Sequence, residues 1–172
     1  LEYVLQGLKK SGIDDIIFAV GYKGGMVEEY FGDGSQFGIR ARYAYEEELL
    51  GTAGAIKNAG NYVTDEQFFV LNGDTFYQMD FGDLSRIQQE KNLEMALVLR
   101  GVPDISRYGA ARLTDGLLTA FNEKNGNTGA GTINGGVYLM KRALLDEIPE
   151  GKVSLENECI PRWMQEGRRL GG

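Results

Sequence analysis

The residues best placed to do chemistry are Asn72, Gly73 and Asp74, which directly follow the apolar run of residues 68–71. Aromatic and β-branched residues dominate that run, so it predicts a buried strand. Ligands of helix-covered sheets bind outside the carboxyl ends of the strands, where Asp74 would lie. Gly73 would let a ligand approach the backbone, and Asp74 would suit Mg²⁺ bound to substrate phosphates. The alternative is an ordinary turn, because Asn-Gly and Gly-Asp are common turn dipeptides.

The composition narrows the chemistry that these residues can perform. The 172 residues carry a net charge of −7, which argues against a nucleic-acid or anionic-membrane surface. Histidine is absent, which excludes a Ser-His-Asp triad and a His-containing zinc site built from these residues. Carboxylates, lysines, backbone amides and a bound metal remain, and these are the tools of phosphoryl-type transfer.

Length and cysteine content bound the organisation of the chain. With 42% hydrophobic residues, the 172 residues predict one core and one domain. A single cysteine excludes an internal disulfide framework and fits the reducing cytoplasm, which is the predicted location. No apolar run is long enough to span a bilayer.

The elements that must position Asp74 alternate between helix and strand. Apolar or alternating runs predict strands at residues 16–20, 39–45, 68–74 and 93–99. Amphipathic spacing predicts helices at residues 1–10, 26–31, 51–59 and 84–91. This alternation implies a largely parallel sheet, with the strand before Asp74 at its centre.

The second half of the chain has a different pattern. Residues 110–113 and 117–123 predict a hairpin, and residues 142–148 and 155–165 predict helices. Between them, residues 132–140 predict a strand whose internal Gly135 and Gly136 indicate a bulge or a close approach of a ligand. Cys159 and Trp163 lie in the last predicted helix and are interpreted as core residues, because the chain offers no histidine to activate the thiol.

Small residues open the helix of residues 51–59. The stretch from Gly51 to Ala55 would leave room for a flat group against the backbone, and helix N-termini present N–H groups to anions. A tight contact between helix and sheet that admits only small residues explains the same pattern. Both interpretations remain open from the sequence.

Taken together, the sequence resembles the sugar-1-phosphate nucleotidyltransferases. Five segments carry the resemblance, in the order and at about the spacing of that family: ELLGTAGAI (48–56), FVLNGDTF (69–76), RYG (107–109), FNEK (121–124) and INGGVYLM (133–140). The resemblance implies a three-layer α/β/α sandwich with a Rossmann-like, mixed and mostly parallel sheet. Within the family, the sequence is most similar to guanylyltransferases acting on D-glycero-D-manno-heptose 1-phosphate or mannose 1-phosphate.

The resemblance also implies roles for individual residues. Asp74 would be the Mg²⁺ ligand, and Lys124 would neutralise the sugar phosphate, so these two are the candidate catalytic residues. The nucleoside would lie along Gly51, Thr52, Gly54 and Gly73. The sugar would contact Tyr108, Gly109, Glu123, Lys124, Asn134 and Gly135, with Glu123 accepting hydrogen bonds from its hydroxyls.

The implied reaction transfers a nucleoside monophosphate from a nucleoside triphosphate to a sugar 1-phosphate and releases pyrophosphate, with Mg²⁺ as cofactor. GTP with heptose or mannose 1-phosphate is the first expectation, and the pathway would be GDP-sugar synthesis for cell-surface polysaccharides. Thymidylyl, cytidylyl or uridylyl transfer to glucose 1-phosphate is an alternative. The implied partners are these two small molecules, without nucleic acid or membrane, and a homo-oligomer is left open because relatives often self-associate.

Two family segments have no counterpart in these 172 residues: the N-terminal strand with its GxGTRL loop and following PKP lysine, and a late DIGTPEDY-like stretch with a second metal-binding Asp. We therefore expect residues 1–172 to be a single nucleotidyltransferase domain truncated at both ends, and inactive alone.

Three other functions compete with this reaction. A non-catalytic relative would keep the sugar pocket and bind sugar phosphate without nucleotide. A signalling receiver domain would need further carboxylates near the first strand end, where residues 21–25 read Gly-Tyr-Lys-Gly-Gly. A GT-A-like glycosyltransferase would need an Asp-x-Asp pair, and Asn72 occupies the first of those positions.

Overall fold

The computed structural model describes residues 1–106, 110–122 and 128–172. The α-helices are α1 (Glu2–Lys10), α2 (Gly24–Phe31), α3 (Gly51–Ala59), α4 (Phe81–Glu90), α5 (Ala143–Glu147) and α6 (Ile160–Gln165), and a π-helical turn (Leu155–Cys159) precedes α6. The strands are β1 (Asp15–Val20), β2 (Arg40–Tyr45), β3 (Gln67–Leu71), β4 (Met95–Val102), β5 (Ala110–Thr114), β6 (Leu117–Asn122), β7 (Gly131–Lys141) and β8 (Leu170–Gly171). No described helix has the length and apolar character needed to cross a membrane.

These elements form an α/β fold with a mixed sheet, as predicted, but fewer strand pairings are parallel than expected. Six strands join in the order β3-β7-β4-β8-β6-β5, and β1 and β2 form a separate parallel pair. The long strand β7 runs antiparallel to both β3 and β4, and β8 runs parallel to β4. Only two of the seven pairings among the described residues, β1 with β2 and β4 with β8, are parallel.

Two hydrophobic cores flank the six-stranded sheet, because alternate residues of a strand point to opposite faces. On one face, Met95 and Tyr138 pack with α5, α6 and the π-helical turn. On the other face, Ala96 and Leu139 pack with residues of α1, α2 and α4. The result is the expected layering of helix, sheet and helix.

Strand β3 lies at an edge of the six-stranded sheet, so the prediction of a central, fully buried strand before Asp74 was wrong. Phe68, Phe69, Val70 and Leu71 are only partly buried. A cavity of about 700 Å³, lined by residues of β1, β3 and α1, explains this exposure. The cavity reaches Asn72 and Gly73, which places one of its ends beside the predicted ligand-binding turn.

Local contacts explain where the predicted helix boundaries differ from the observed ones. Helix α4 begins at Phe81, three residues before the prediction, because the Asp80 side chain caps it by accepting from Gly82 N at 2.8 Å. The predicted helix of residues 155–165 begins with the π-helical turn, in which Cys159 N donates to Ser154 O at 3.2 Å.

Cys159 and Trp163 are buried, as predicted, with exposed fractions of 1% and 0%. Burial raises the pKa of the Cys159 thiol above its ordinary value, because the interior disfavours the thiolate.

We expect Cys159 of the folded protein to resist alkylation at pH 8. Its raised pKa lowers the fraction of reactive thiolate at this pH, and its burial excludes the reagent. Mass spectrometry after iodoacetamide treatment should show an unmodified native chain and one adduct after denaturation in urea. Rapid modification of the native chain would contradict the burial of this residue.

Candidate functional site

The carboxyl end of β3 carries the candidate metal ligand. Asn72 N donates to Gly136 O at 2.9 Å, and Thr75 N donates to Asn72 O at 3.3 Å, so the turn is fixed against β7. Asp74 follows on this turn and is exposed, and its Oδ1 accepts a hydrogen bond from Thr75 Oγ1 at 3.2 Å. The described residues hold no group of three or more acidic, cysteine or histidine side chains that could bind a metal. A cation here would therefore take Asp74 together with ligands from outside these described side chains.

Strand β7 bulges opposite this turn, as the glycines predicted. Leu97 pairs with Tyr138 but Leu99 pairs with Asn134, so β7 carries the additional residues between these pairs. Gly136 has φ +69, and a Cβ there would lie 2.5 Å from Asn72 Nδ2. The bulge therefore needs glycine for its conformation and for the close approach of the β3 turn.

The first turn of α3 packs tightly on the segment that leads into the π-helical turn. Ala53 N and Gly54 N donate to Val153 O at 3.0 and 3.3 Å. Gly51 has φ +71, and a Cβ on Gly54 would lie 2.4 Å from Gly151 O. The tight contact that small residues allow is therefore present, and two amides of the predicted anion-binding turn bond to Val153.

A chain of polar side chains joins α3 to β7 through the π-helical turn. Thr52 Oγ1 donates to Glu156 Oε2 at 2.6 Å and accepts from Leu155 N at 2.8 Å. Tyr138 OH donates to Glu156 Oε1 at 3.0 Å and accepts from Asn134 Nδ2 at 2.6 Å. Glu156 thus connects Thr52 and Asn134, two residues that the sequence assigned to opposite substrates.

The comparisons with known proteins show the family. The family model described as Nucleotidyl transferase matches residues 1–170, nearly the whole chain. The chain belongs to this nucleotidyl transferase family. The family predicted from the five sequence segments is therefore confirmed.

Individual relatives of this nucleotidyl transferase chain are guanylyltransferases. It is 36% identical over 163 residues to D-glycero-alpha-D-manno-heptose 1-phosphate guanylyltransferase of Aneurinibacillus thermoaerophilus, covering 94% of this chain and 70% of the relative. It is 31% identical to mannose-1-phosphate guanylyltransferase of Mycobacterium tuberculosis, covering 97% of this chain and 47% of the relative. The chain thus spans 70% and about half of the lengths of these two proteins.

A solved structure confirms the fold. HddC from Yersinia pseudotuberculosis, complexed with GMP-PN, matches with a TM-score of 0.80 at 29% identity. The match covers 94% of this chain and 71% of the HddC chain. The predicted nucleotide-diphospho-sugar transferase fold is therefore confirmed.

The structure brings together some of the residues assigned from the sequence. The turn of Gly73 and Asp74 is bonded to the bulge that holds Gly135, and Thr52 is linked to Asn134. Gly51 and Gly54 contact the segment before Glu156. Four assigned residues lie outside the described part of the chain: Tyr108, Gly109, Glu123 and Lys124.

Described neighbours in sequence of these four residues lie beside the bulge. Ala110 pairs with Asn122 on one side and with Ile133, next to Asn134, on the other. Strand pairing therefore brings the start of β5 and the end of β6 to the part of β7 that carries Asn134.

Sequence reasoning missed Glu156 and Tyr138. Glu156 was part of a predicted helix, and Tyr138 lay in the INGGVYLM segment, to which the resemblance gave roles only at Asn134 and Gly135. A buried tyrosine usually bonds its hydroxyl, so the aromatic residue four positions after Asn134 was the one available signal. Its partner, 18 residues further along the chain, was not readable from local patterns.

Proposed function

We propose that this chain is the substrate-binding part of an enzyme that transfers a nucleoside monophosphate from a nucleoside triphosphate to a sugar 1-phosphate and releases pyrophosphate. GTP is the proposed donor, and a heptose or mannose 1-phosphate is the proposed acceptor. The guanylyltransferase relatives and the GMP-PN complex of HddC support these choices. The observation that carries the proposal is the contact of the Asp74 turn with the β7 bulge, inside a chain matched to the family over residues 1–170.

The residues around this contact suit the two substrates. We assign Gly51, Thr52, Gly54 and Gly73 to the nucleotide side and Tyr108, Gly109, Asn134 and Gly135 to the sugar side. Glu123 would accept hydrogen bonds from sugar hydroxyls, and Lys124 would neutralise the sugar phosphate as a point charge. Positioning and charge neutralisation supply most of the catalysis in phosphoryl-type transfer, so no covalent intermediate is needed.

A divalent cation fits the Asp74 end of β3. The carboxylate is exposed and its described hydrogen bond comes from Thr75 next to it, so its oxygens are accessible to a hydrated ion. Mg²⁺ commonly takes one or two protein carboxylates together with substrate phosphates, and this donor set agrees with one such carboxylate. Bound Mg²⁺ would neutralise charge that develops on the phosphates.

The test is pyrophosphate release by the natural polypeptide that contains these residues. GTP, UTP, CTP, ATP and dTTP should each be offered with mannose, heptose and glucose 1-phosphate in the presence of Mg²⁺. The proposal expects GTP with mannose or heptose 1-phosphate to give the fastest release. Calorimetric binding of sugar phosphate without release from any pair would favour a non-catalytic relative instead.

The isolated segment of residues 1–172 should be assayed beside the natural polypeptide. We expect it to release no pyrophosphate, because the family segments for the triphosphate and the second metal ligand have no counterpart in it. Release by the verified 172-residue polypeptide would refute this expectation.

The compartment and the oligomeric state of the protein stay predictions. The single cysteine supports the cytoplasm, and light scattering would test the predicted homo-oligomer.

Replacing Glu123 with Gln should weaken sugar phosphate binding while leaving nucleotide binding nearly unchanged. The amide has one acceptor oxygen where the carboxylate has two, and it loses the charge that strengthens hydrogen bonds from hydroxyls. We expect a loss of about tenfold in sugar phosphate affinity, typical of a weakened hydrogen bond to a charged group. Titration calorimetry with each substrate measures this, and equal losses for both would remove Glu123 from the sugar side.

A further inference from the structure

Three consecutive hydrogen bonds connect the helix on the nucleotide side with the strand on the sugar side. They run from Thr52 to Glu156, from Tyr138 to Glu156, and from Asn134 to Tyr138, with distances of 2.6, 3.0 and 2.6 Å. The residues belong to α3, the π-helical turn and β7, three elements that are distant in sequence. Glu156 is the one member that contacts both sides, because each of its carboxylate oxygens accepts from a different element.

The residue before the π-helical turn also contacts the Glu156 carboxylate, because Ser154 Oγ donates to Glu156 Oε2 at 3.5 Å. Ser154 N donates to the neighbouring Glu158 at 2.8 Å, and Ser154 Oγ accepts from Asn157 N at 3.1 Å, so the start of the π-helical turn is itself capped. Tyr138 is 1% exposed, which keeps water away from its end of this series of hydrogen bonds. Hydrogen bonds to a carboxylate are stronger than neutral ones, and the partial burial of the bond from Tyr138 strengthens that bond further.

We propose that Glu156 is a positioning residue that couples the nucleotide and sugar phosphate subsites. The inference rests on the proposed function, because Thr52 and Asn134 are the residues assigned to the two substrates. A nucleotide that orders Thr52 at the start of α3 would orient Glu156, which in turn orients Tyr138 and the Asn134 amide. Each substrate then pays less to order the site after the other has bound, which is positive cooperativity.

The coupling is measurable as a ratio of two affinities. Titration calorimetry gives the Kd of mannose 1-phosphate for the natural polypeptide with Mg²⁺, with and without saturating α,β-methylene GTP, whose bridge carbon prevents transfer. We expect the wild-type ratio to be about fivefold or more. In Glu156→Gln the ratio should fall towards one, because the amide carries no charge and has an NH2 donor in place of one of the two oxygens that now accept from the hydroxyls of Thr52 and Tyr138.

Matched variants separate coupling from a general structural effect. Glu158→Gln makes the same change two residues later, where the side chain bonds to Ser154 N within its own turn, and should keep the wild-type ratio. Thr52→Val removes the hydroxyl from an exposed side chain and should lose the coupling without unfolding the protein, whereas Thr52→Ser should retain it. The double variant of Thr52→Val with Glu156→Gln should lose no more coupling than either single change.

The outcomes distinguish the inference from the function on which it rests. Failure of the wild-type protein to bind either ligand would overturn the proposed function. Binding of both ligands with a ratio that Glu156→Gln and Thr52→Val leave unchanged would overturn the coupling role alone. A ratio lost in these two variants and kept in Glu158→Gln and Thr52→Ser would establish it.

Discussion

Asp74→Asn should abolish Mg²⁺-dependent pyrophosphate release by the natural polypeptide without unfolding it. The substitution keeps the shape of the side chain but removes the negative charge that a divalent cation requires. Losing even a residue that only supports a metal ligand typically costs 10- to 100-fold, so we expect a fall in kcat/KM of at least about 100-fold. Asp74 is exposed and its described hydrogen bond is to the adjacent Thr75, so the free energy of unfolding should remain within about 0.5 kcal/mol of the wild-type value.

Asp65→Asn provides the matched control for this experiment. Asp65 is also an exposed aspartate that flanks β3, but it precedes the strand and so lies at its opposite end. The same chemical change there should leave both the rate and the Mg²⁺ requirement at wild-type values. A retained rate in Asp74→Asn, or an equal loss in Asp65→Asn, would remove Asp74 as the metal ligand.

The elements near Asp74 were predictable because their signals are local. An apolar run ending in Asn-Gly-Asp predicts a strand followed by a turn, and the structure has β3 and that turn. The glycines in residues 132–140 predicted a bulge or a close approach of a ligand for the same reason, and the bulge is present, since a positive φ at Gly136 is a property of one residue. The family could also be predicted from the sequence, because each of the five segments that indicated it consists of a few consecutive residues.

The position of β3 in the sheet depended on contacts that local patterns do not encode. Alternation of strands and helices favours parallel pairing, yet β7 enters between β3 and β4 and pairs antiparallel with both. The position of β7 in the sheet depends on its packing against the helices on both faces of the sheet, and that packing involves all the elements together. The partly buried residues of β3 likewise reflect the adjacent cavity rather than their own hydrophobicity.

The stripe of α2 shows the same limit at the level of single residues. The spacing of Met26, Val27, Tyr30 and Phe31 is that of one apolar helix face, but Met26 and Tyr30 are 63% and 58% exposed. Of the four, only Phe31 is fully buried, in contact with Phe18 of the neighbouring strand. Periodicity therefore identified the helix, while the width of its buried face was set by how much of it β1 and β2 cover.

Gly54→Ala should destabilise the protein by roughly 1–3 kcal/mol, because an added methyl group must push apart two backbone segments that are already in contact. Its Cβ would lie 2.4 Å from Gly151 O and 2.9 Å from Leu50 Cβ, and neither atom belongs to the end of a flexible side chain. Chemical denaturation followed by circular dichroism measures this loss.

Gly25→Ala is the control for this measurement, because Gly25 also lies near the start of a helix, has no positive φ, and would meet no atom within 4 Å. Alanine is the better helix former, so this change should be neutral or stabilising by up to about 1 kcal/mol. Equal changes in stability at the two positions would contradict the close packing of α3 against residues 151–153.

Gly54→Ala also distinguishes the two explanations of the small residues in α3, which are tight packing and contact with the nucleoside. If Gly54 serves only the contact with Gly151, the Gly54→Ala protein, measured at a temperature where it is folded, should have the GTP affinity of the wild-type protein. If the nucleoside also lies along this turn, the methyl group and the displaced helix start should weaken GTP binding more than sugar phosphate binding. Calorimetry below the unfolding transition distinguishes these results, and only the second would place Gly54 in the nucleotide subsite as well as in the packing that supports it.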